Sequence, residues 1–60
     1  MVASISELSS INTALEDLLK RVSNIAEEFD REKREDVANS LYEVERNLRT
    51  ATRKLSKTIG

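Results

Sequence analysis

Between Phe29 and Val37 the chain reads Asp30-Arg31-Glu32-Lys33-Arg34-Glu35-Asp36, seven charged residues in succession. On either side of this run, apolar residues recur at helical spacing. Upstream, Leu8, Ile11, Leu15, Leu18, Val22, Ile25 and Phe29 follow one another at alternating steps of three and four; downstream, Val37, Leu41, Val44, Leu48, Ala51 and Leu55 do the same. Such steps keep side chains on one face of a helix with 3.6 residues per turn, so each run predicts a helix carrying an apolar seam. Carrying the first register through the charged run puts Glu32 and Asp36 on the seam, yet the second seam restarts out of phase. Two arrangements meet this pattern. The chain reverses near Asp30, a residue type that tolerates turns and caps a following helix, or one long helix runs through with a solvated middle. The lack of Gly and Pro in the run speaks for the long helix. The phase break and the similar seam lengths speak for the reversal, which is the reading adopted. The expectation is an all-α antiparallel hairpin forming a single domain over residues 1–60. Helix 1 covers about 4–29, the turn falls near 30, and helix 2 covers about 31–58.

Composition agrees with helices. Aromatic residues make up 3% of the 60 residues, too few for the strands of a sheet protein, while 35% are charged and 38% hydrophobic. Ser4-Ile5-Ser6-Glu7 fits a capping box at the start of helix 1. Glu16 with Lys20 and Asp17 with Arg21 are spaced as i,i+4 ion pairs. The first seam is widened by Ile5, Leu19 and Ala26, more than a two-helix contact needs. A chain this short buries too little surface to be comfortably stable alone. Two hairpins packed face to face enclose the wide stripe, so the sequence predicts a homodimeric four-helix bundle with the seam residues as the hairpin and dimer core.

This layout resembles the Rop-like helical hairpins, plasmid-encoded RNA-binding proteins that dimerise into four-helix bundles. Glu28, Asp30, Asp36, Ser40, Leu41 and Leu48 match that family without gaps, and the length is similar. The resemblance implies the bundle architecture. It does not carry the RNA-contacting face, which the family builds on helix 1 from polar, basic and aromatic side chains. The corresponding positions here are Ala3, Ser10, Ala14, Leu18 and Ile25, and Ile11, Leu18 and Ile25 sit one residue off the family's inward positions.

The residue inventory narrows the chemistry. With no His and no Cys, the usual zinc sites, thiolate nucleophiles and histidine bases are absent. Serines are plentiful, among them Ser4, Ser6, Ser9, Ser10, Ser23, Ser40 and Ser56, but their only prospective bases, Lys54 and Lys57, fall near a solvated helix end. The acids Glu27, Glu28, Glu32, Glu35 and Asp36 alternate with bases and lack calcium-loop or di-metal spacing. Neither enzyme, metal nor cofactor is expected. No apolar run is long enough to span a membrane and no signal-peptide pattern opens the chain, which makes the cytoplasm the expected location.

Charge is uneven. Residues 1–29 carry a net −3 and residues 30–60 a net +2. Arg46, Arg49, Arg53 and Lys57 fall into one stripe of helix 2, with Tyr42 one turn before Arg46 and directed away from the seam. Cations at a helix C-terminus meet the dipole favourably, which accounts for the stripe without any partner. Read functionally, Tyr42 is an anchor and the arginines are clamps for a carboxylate or phosphate partner. The leading expectation is a non-enzymatic protein–protein interaction or oligomerisation module. The alternative is a small RNA- or DNA-binding regulator using the basic stripe. A third reading is an oligomerisation segment of something larger.

Overall fold

The computed structural model describes residues 4–60. Helix α1 spans Ile5–Arg31 and helix α2 spans Glu35–Ile59, with no strand among the described residues. At 1.5 Å per residue α1 alone is ~40 Å long. The molecule measures 48 × 17 × 14 Å, so the helices lie side by side and antiparallel, not end to end. At the start of α1 the Ser4 hydroxyl accepts from the Glu7 amide at 3.0 Å, the half of the capping box that satisfies the helix.

The reversal lies two residues beyond the expected one. Asp30 stays helical, and Glu32, Lys33 and Arg34 make the turn. The Arg34 amide donates to the Phe29 carbonyl at 2.8 Å and the Lys33 amide to the Asp30 carbonyl at 3.0 Å. This pair of bonds is a Schellman closure, which requires a left-handed residue just past the helix. Glycine usually fills that place; here it is Lys33, at φ 62°. The charged run is thus sorted by helix end. Arg31 sits in the last turn of α1, near its negative pole, and Glu35 and Asp36 open α2 at its positive pole. Arg34, the N-cap of α2, makes no side-chain cap bond. Because Lys33 holds a conformation that costs an L side chain ~1–2 kcal/mol, Lys33→Gly should raise stability by ~1 kcal/mol. Thermal unfolding followed by circular dichroism should show a midpoint higher by ~4–8 °C.

The helices meet along Leu8, Asn12, Leu15, Leu19, Val22, Ala26 and Phe29 of α1 and Val37, Ala38, Leu41, Glu45, Leu48, Thr52, Leu55 and Ile59 of α2. Only Ala26 and Ala38 are fully buried; the rest are half-buried. The expected seam residues therefore divide. Leu8, Leu15, Val22, Phe29, Val37, Leu41, Leu48 and Leu55 serve the hairpin contact, whereas Ile11, Leu18, Ile25, Val44 and Ala51 stay exposed. Of the widening residues, Leu19 and Ala26 join the contact and Ile5 does not. Packing against one neighbour uses only part of a broad stripe.

The hairpin is correspondingly under-buried. Its accessible surface is 4806 Å², against ~4,000 Å² for a compact monomer of this mass. Its radius of gyration is 14.2 Å, against ~10 Å for a compact chain of this length.

Candidate interaction surfaces

Two flanks run the length of the hairpin, one on each side of the helix–helix contact. At 100° per residue, Ile11, Leu18 and Ile25 are turned about 70° from the centre of the contact face of α1, and Val44 and Ala51 about 70° in the same sense from that of α2. In two antiparallel right-handed helices, equal offsets of the same sense fall on the same side. One flank therefore collects these five apolar residues, and Ile11, Leu18, Ile25 and Val44 are 43–52% exposed there. The seven-residue spacing of Ile11, Leu18 and Ile25 keeps them within about 40° of one another over the middle half of α1.

The opposite flank carries Tyr42, and its place departs from the sequence expectation. Tyr42 is half-buried, not directed away from the contact. Partial burial first, then the carboxylates of Asp30, Glu27 and Glu45, push its hydroxyl pKa above the ordinary 10.0. Two of those acids belong to α1, so the ring lies toward the neighbouring helix. Sequence spacing alone set Tyr42 with Arg46, but it sits nearer the contact face than Arg46, Arg53 and Lys57, and shares its line along α2 with Arg49, one heptad on. Arg49 Nη2 is 3.7 Å from Glu45 Oε1, and Arg46, Arg53 and Lys57 are exposed and in no ion pair among the described residues. Tyr42 thus lies beside acids, with Arg49 tied to one of them, while Arg46, Arg53 and Lys57 stand apart in solvent.

A tyrosine kept neutral to higher pH in the folded chain contributes stability that is complete below about pH 10. That contribution is lost as pH rises through the folded value. Tyrosinate absorbance, which reports Tyr42 alone, should titrate above 10.0 in the native chain and return toward that value in urea. Tyr42→Phe should flatten the alkaline loss of stability.

The remaining polar groups are engaged locally. Thr13, Ser40, Thr52 and Thr58 hydroxyls donate to carbonyls three or four residues back, the usual recourse of hydroxyls on helices. The expected ion pairs Glu16–Lys20 and Asp17–Arg21 are not closed; among the described residues the ion pairs are Arg49–Glu45 and Arg34–Asp36, the latter at 3.8 Å. Among the described residues no three acids converge as a metal site, and no helix is long and apolar enough to cross a membrane. The surface grooves along Ser6, Glu7, Ser10 and Ile11 and along Thr13 and Asp17 are open and shallow.

One residue escaped the sequence reading. Asn12 occupies the hairpin contact, where its Nδ2 donates to Ser56 Oγ at 3.0 Å and its Oδ1 is buried without a partner. The signal was present. Asn12, Leu19 and Ala26 alternate with Leu8, Leu15, Val22 and Phe29 at steps of four and three, a second register as regular as the first. A polar residue in an apolar seam costs stability and fixes pairing register, here by tying α1 to α2 near the open end. No family model, curated protein or solved structure matches the chain.

Proposed function

We propose that this protein is a non-enzymatic interaction module that acts as a homodimer, two hairpins packing flank to flank into a four-helix bundle. The observation that carries this reading is the continuous line of exposed Ile11, Leu18 and Ile25 beside Val44 and Ala51. Single exposed apolar residues are ordinary on protein surfaces, but a file of them along one side is the mark of a contact surface. The several hundred Å² by which the hairpin exceeds a compact monomer is of the order of one partner's share, about 800 Å², of a standard interface. A second copy is the partner whose apolar stripe has the same length and spacing by construction.

The nucleic-acid reading has less beneath it. Arg46, Arg53 and Lys57 are free, but Glu27 and Asp30 lie on the same side of the molecule and Arg49 is partnered by Glu45. A polyanion on that flank meets carboxylates as well as cations. Sedimentation equilibrium at micromolar concentration tests the proposal: a dimer is expected, with a melting temperature that rises with protein concentration. A monomer that unfolds cooperatively, with a midpoint independent of concentration, overturns it.

A further inference from the structure

The last turns of α2 carry charge of one sign. From Arg46 to Gly60 the chain holds Arg46, Arg49, Arg53, Lys54 and Lys57 and no acidic side chain. Arg46, Arg49, Arg53 and Lys57 follow at steps of three, four and four, which stacks them one turn above another on an exposed face. Attraction to the helix dipole accounts for Lys57 alone, the basic residue of the last turn. That attraction fades within one turn, and the three arginines stand further up the helix. Like charges one turn apart repel and destabilise the helix that bears them. Arg53 has Arg49 one turn before it and Lys57 one turn after it, with no acid three or four residues to either side. Of the four cations, only Arg49 has an ion-pair partner among the described residues, Glu45 at 3.7 Å. The row therefore works against its own helix, as residues held for binding do. Its place also leaves it open. Arg46, Arg53 and Lys57 are turned about 140° from the centre of the contact face of α2, in the sense opposite to Val44 and Ala51. Neither the helix contact nor the apolar flank covers them.

We propose that this row is a docking surface for an acidic helix of a partner protein. The row is one helix wide and ~16 Å long at 1.5 Å per residue. Carboxylates placed at steps of three and four along a partner helix rise at the same rate, so each cation meets an acid of its own. Three of the four cations are arginines, whose planar fork takes a carboxylate through two parallel hydrogen bonds. A longer polyanion runs out of cations. Upstream of the row the outer side of α2 carries Glu35 and Glu43, and Glu27 and Asp30 of α1 lie beside Tyr42. A nucleic-acid strand continues its charge across those carboxylates, whereas an acidic helix stops where its acids stop. A single exposed ion pair contributes little, so recognition rests on the row taken together.

The probe is an alanine-based peptide of about 20 residues, long enough to hold a helix by itself, with glutamates at steps of three and four on one face. Fluorescence anisotropy of the labelled peptide should show saturable binding to the full chain. A peptide of the same composition with its glutamates spread around the helix should bind roughly tenfold more weakly, although its charge is unchanged. Arg53→Glu should weaken binding of the one-faced peptide by roughly tenfold or more. Its melting midpoint should equal or exceed that of the parent, because a glutamate there breaks the like-charge row and stands one turn before Lys57. Lys33→Glu makes the same charge change at the turn, outside the row, and should leave binding within about threefold. Equal affinities for the two peptides, or equal effects of Arg53→Glu and Lys33→Glu, overturn the row as the recognising surface. A lower melting midpoint for Arg53→Glu assigns the cations to the fold and overturns it too. Tighter binding of a single-stranded oligonucleotide than of the one-faced peptide, with a steep salt dependence, overturns the acidic helix in favour of a nucleic acid. Because the row lies off the apolar flank, Arg53→Glu should sediment as the parent does, so failure of this surface is distinguishable from failure of the dimer.

Discussion

Leu18→Lys should dissociate the dimer, raising its Kd by roughly 10²–10⁴-fold. Leu18 stands in the middle of the apolar flank, where a single hairpin leaves it exposed and the proposed second copy would cover it. Only the 43% of Leu18 that the hairpin leaves exposed is gained at the interface, ~0.6–1.3 kcal/mol of the ~1.5–3 kcal/mol for a whole leucine side chain, and two-fold symmetry counts the loss twice, giving ~1–3 kcal/mol. Lysines brought to the interface supply the rest, since like charges brought together there cost several kcal/mol. Asn39→Lys is the control, because it adds the same charge elsewhere. Asn39 is exposed on the outer side of α2, away from both the helix contact and the apolar flank, and its replacement should leave the Kd within about threefold. Sedimentation of the two variants side by side checks the expectation; equal Kd values would remove the flank from the interface.

Leu15→Ala should lower the stability of the hairpin itself, by ~1–3 kcal/mol, since the side chain is half-buried. Leu15 is one of the half-buried residues through which α1 meets α2, and Leu48 is its counterpart in the other helix. A chain of this length has a total stability of only ~3–9 kcal/mol, so either truncation removes a large part of it. The contrast with Leu18 is the informative part. Both residues lie on the seam in the sequence, three positions apart. Leu18→Ala should weaken association and change the melting temperature mainly through concentration, whereas Leu15→Ala should lower the melting temperature at every concentration. Identical concentration dependence for the two variants would mean that the hairpin contact and the flank are not separate surfaces.

That contrast also marks where sequence reading stops. Helices follow from the three-and-four spacing of apolar residues, and the Ser4 cap is a local matter of one hydroxyl and one amide three residues on. The reversal follows from the phase break across Asp30–Asp36, because a seam that changes phase cannot lie on one straight helix face. Its position does not follow so closely. Any of several charged residues can take the left-handed conformation at similar cost, and Lys33 was selected by the closure of its amide and that of Arg34 onto α1.

What the spacing of residues along one helix cannot contain is how that helix is rotated against its neighbour. The apolar residues of α1 fill an arc wide enough for two registers. Leu8, Leu15, Val22 and Phe29 belong to both; Ile11, Leu18 and Ile25 compete with Asn12, Leu19 and Ala26 for the second line of contact. On hydropathy alone the isoleucines and leucine win. In the folded chain, the small side chain of Ala26 lies fully buried in the contact, as does Ala38 of α2, and Asn12 finds Ser56 across it. The two fully buried side chains of the contact, Ala26 and Ala38, are small and lie toward its turn end, where they leave room for close helix packing. The same rotation moves Tyr42 from the outer face to the side of Asp30 and Glu27 and leaves Leu18 in water. The helices, their seams and the reversal were therefore written in residue order, through interactions a few residues in range. The division of the seam into a helix contact and a free flank arose only when two helices had to share one interface, where side-chain volume at closest approach outweighs hydropathy.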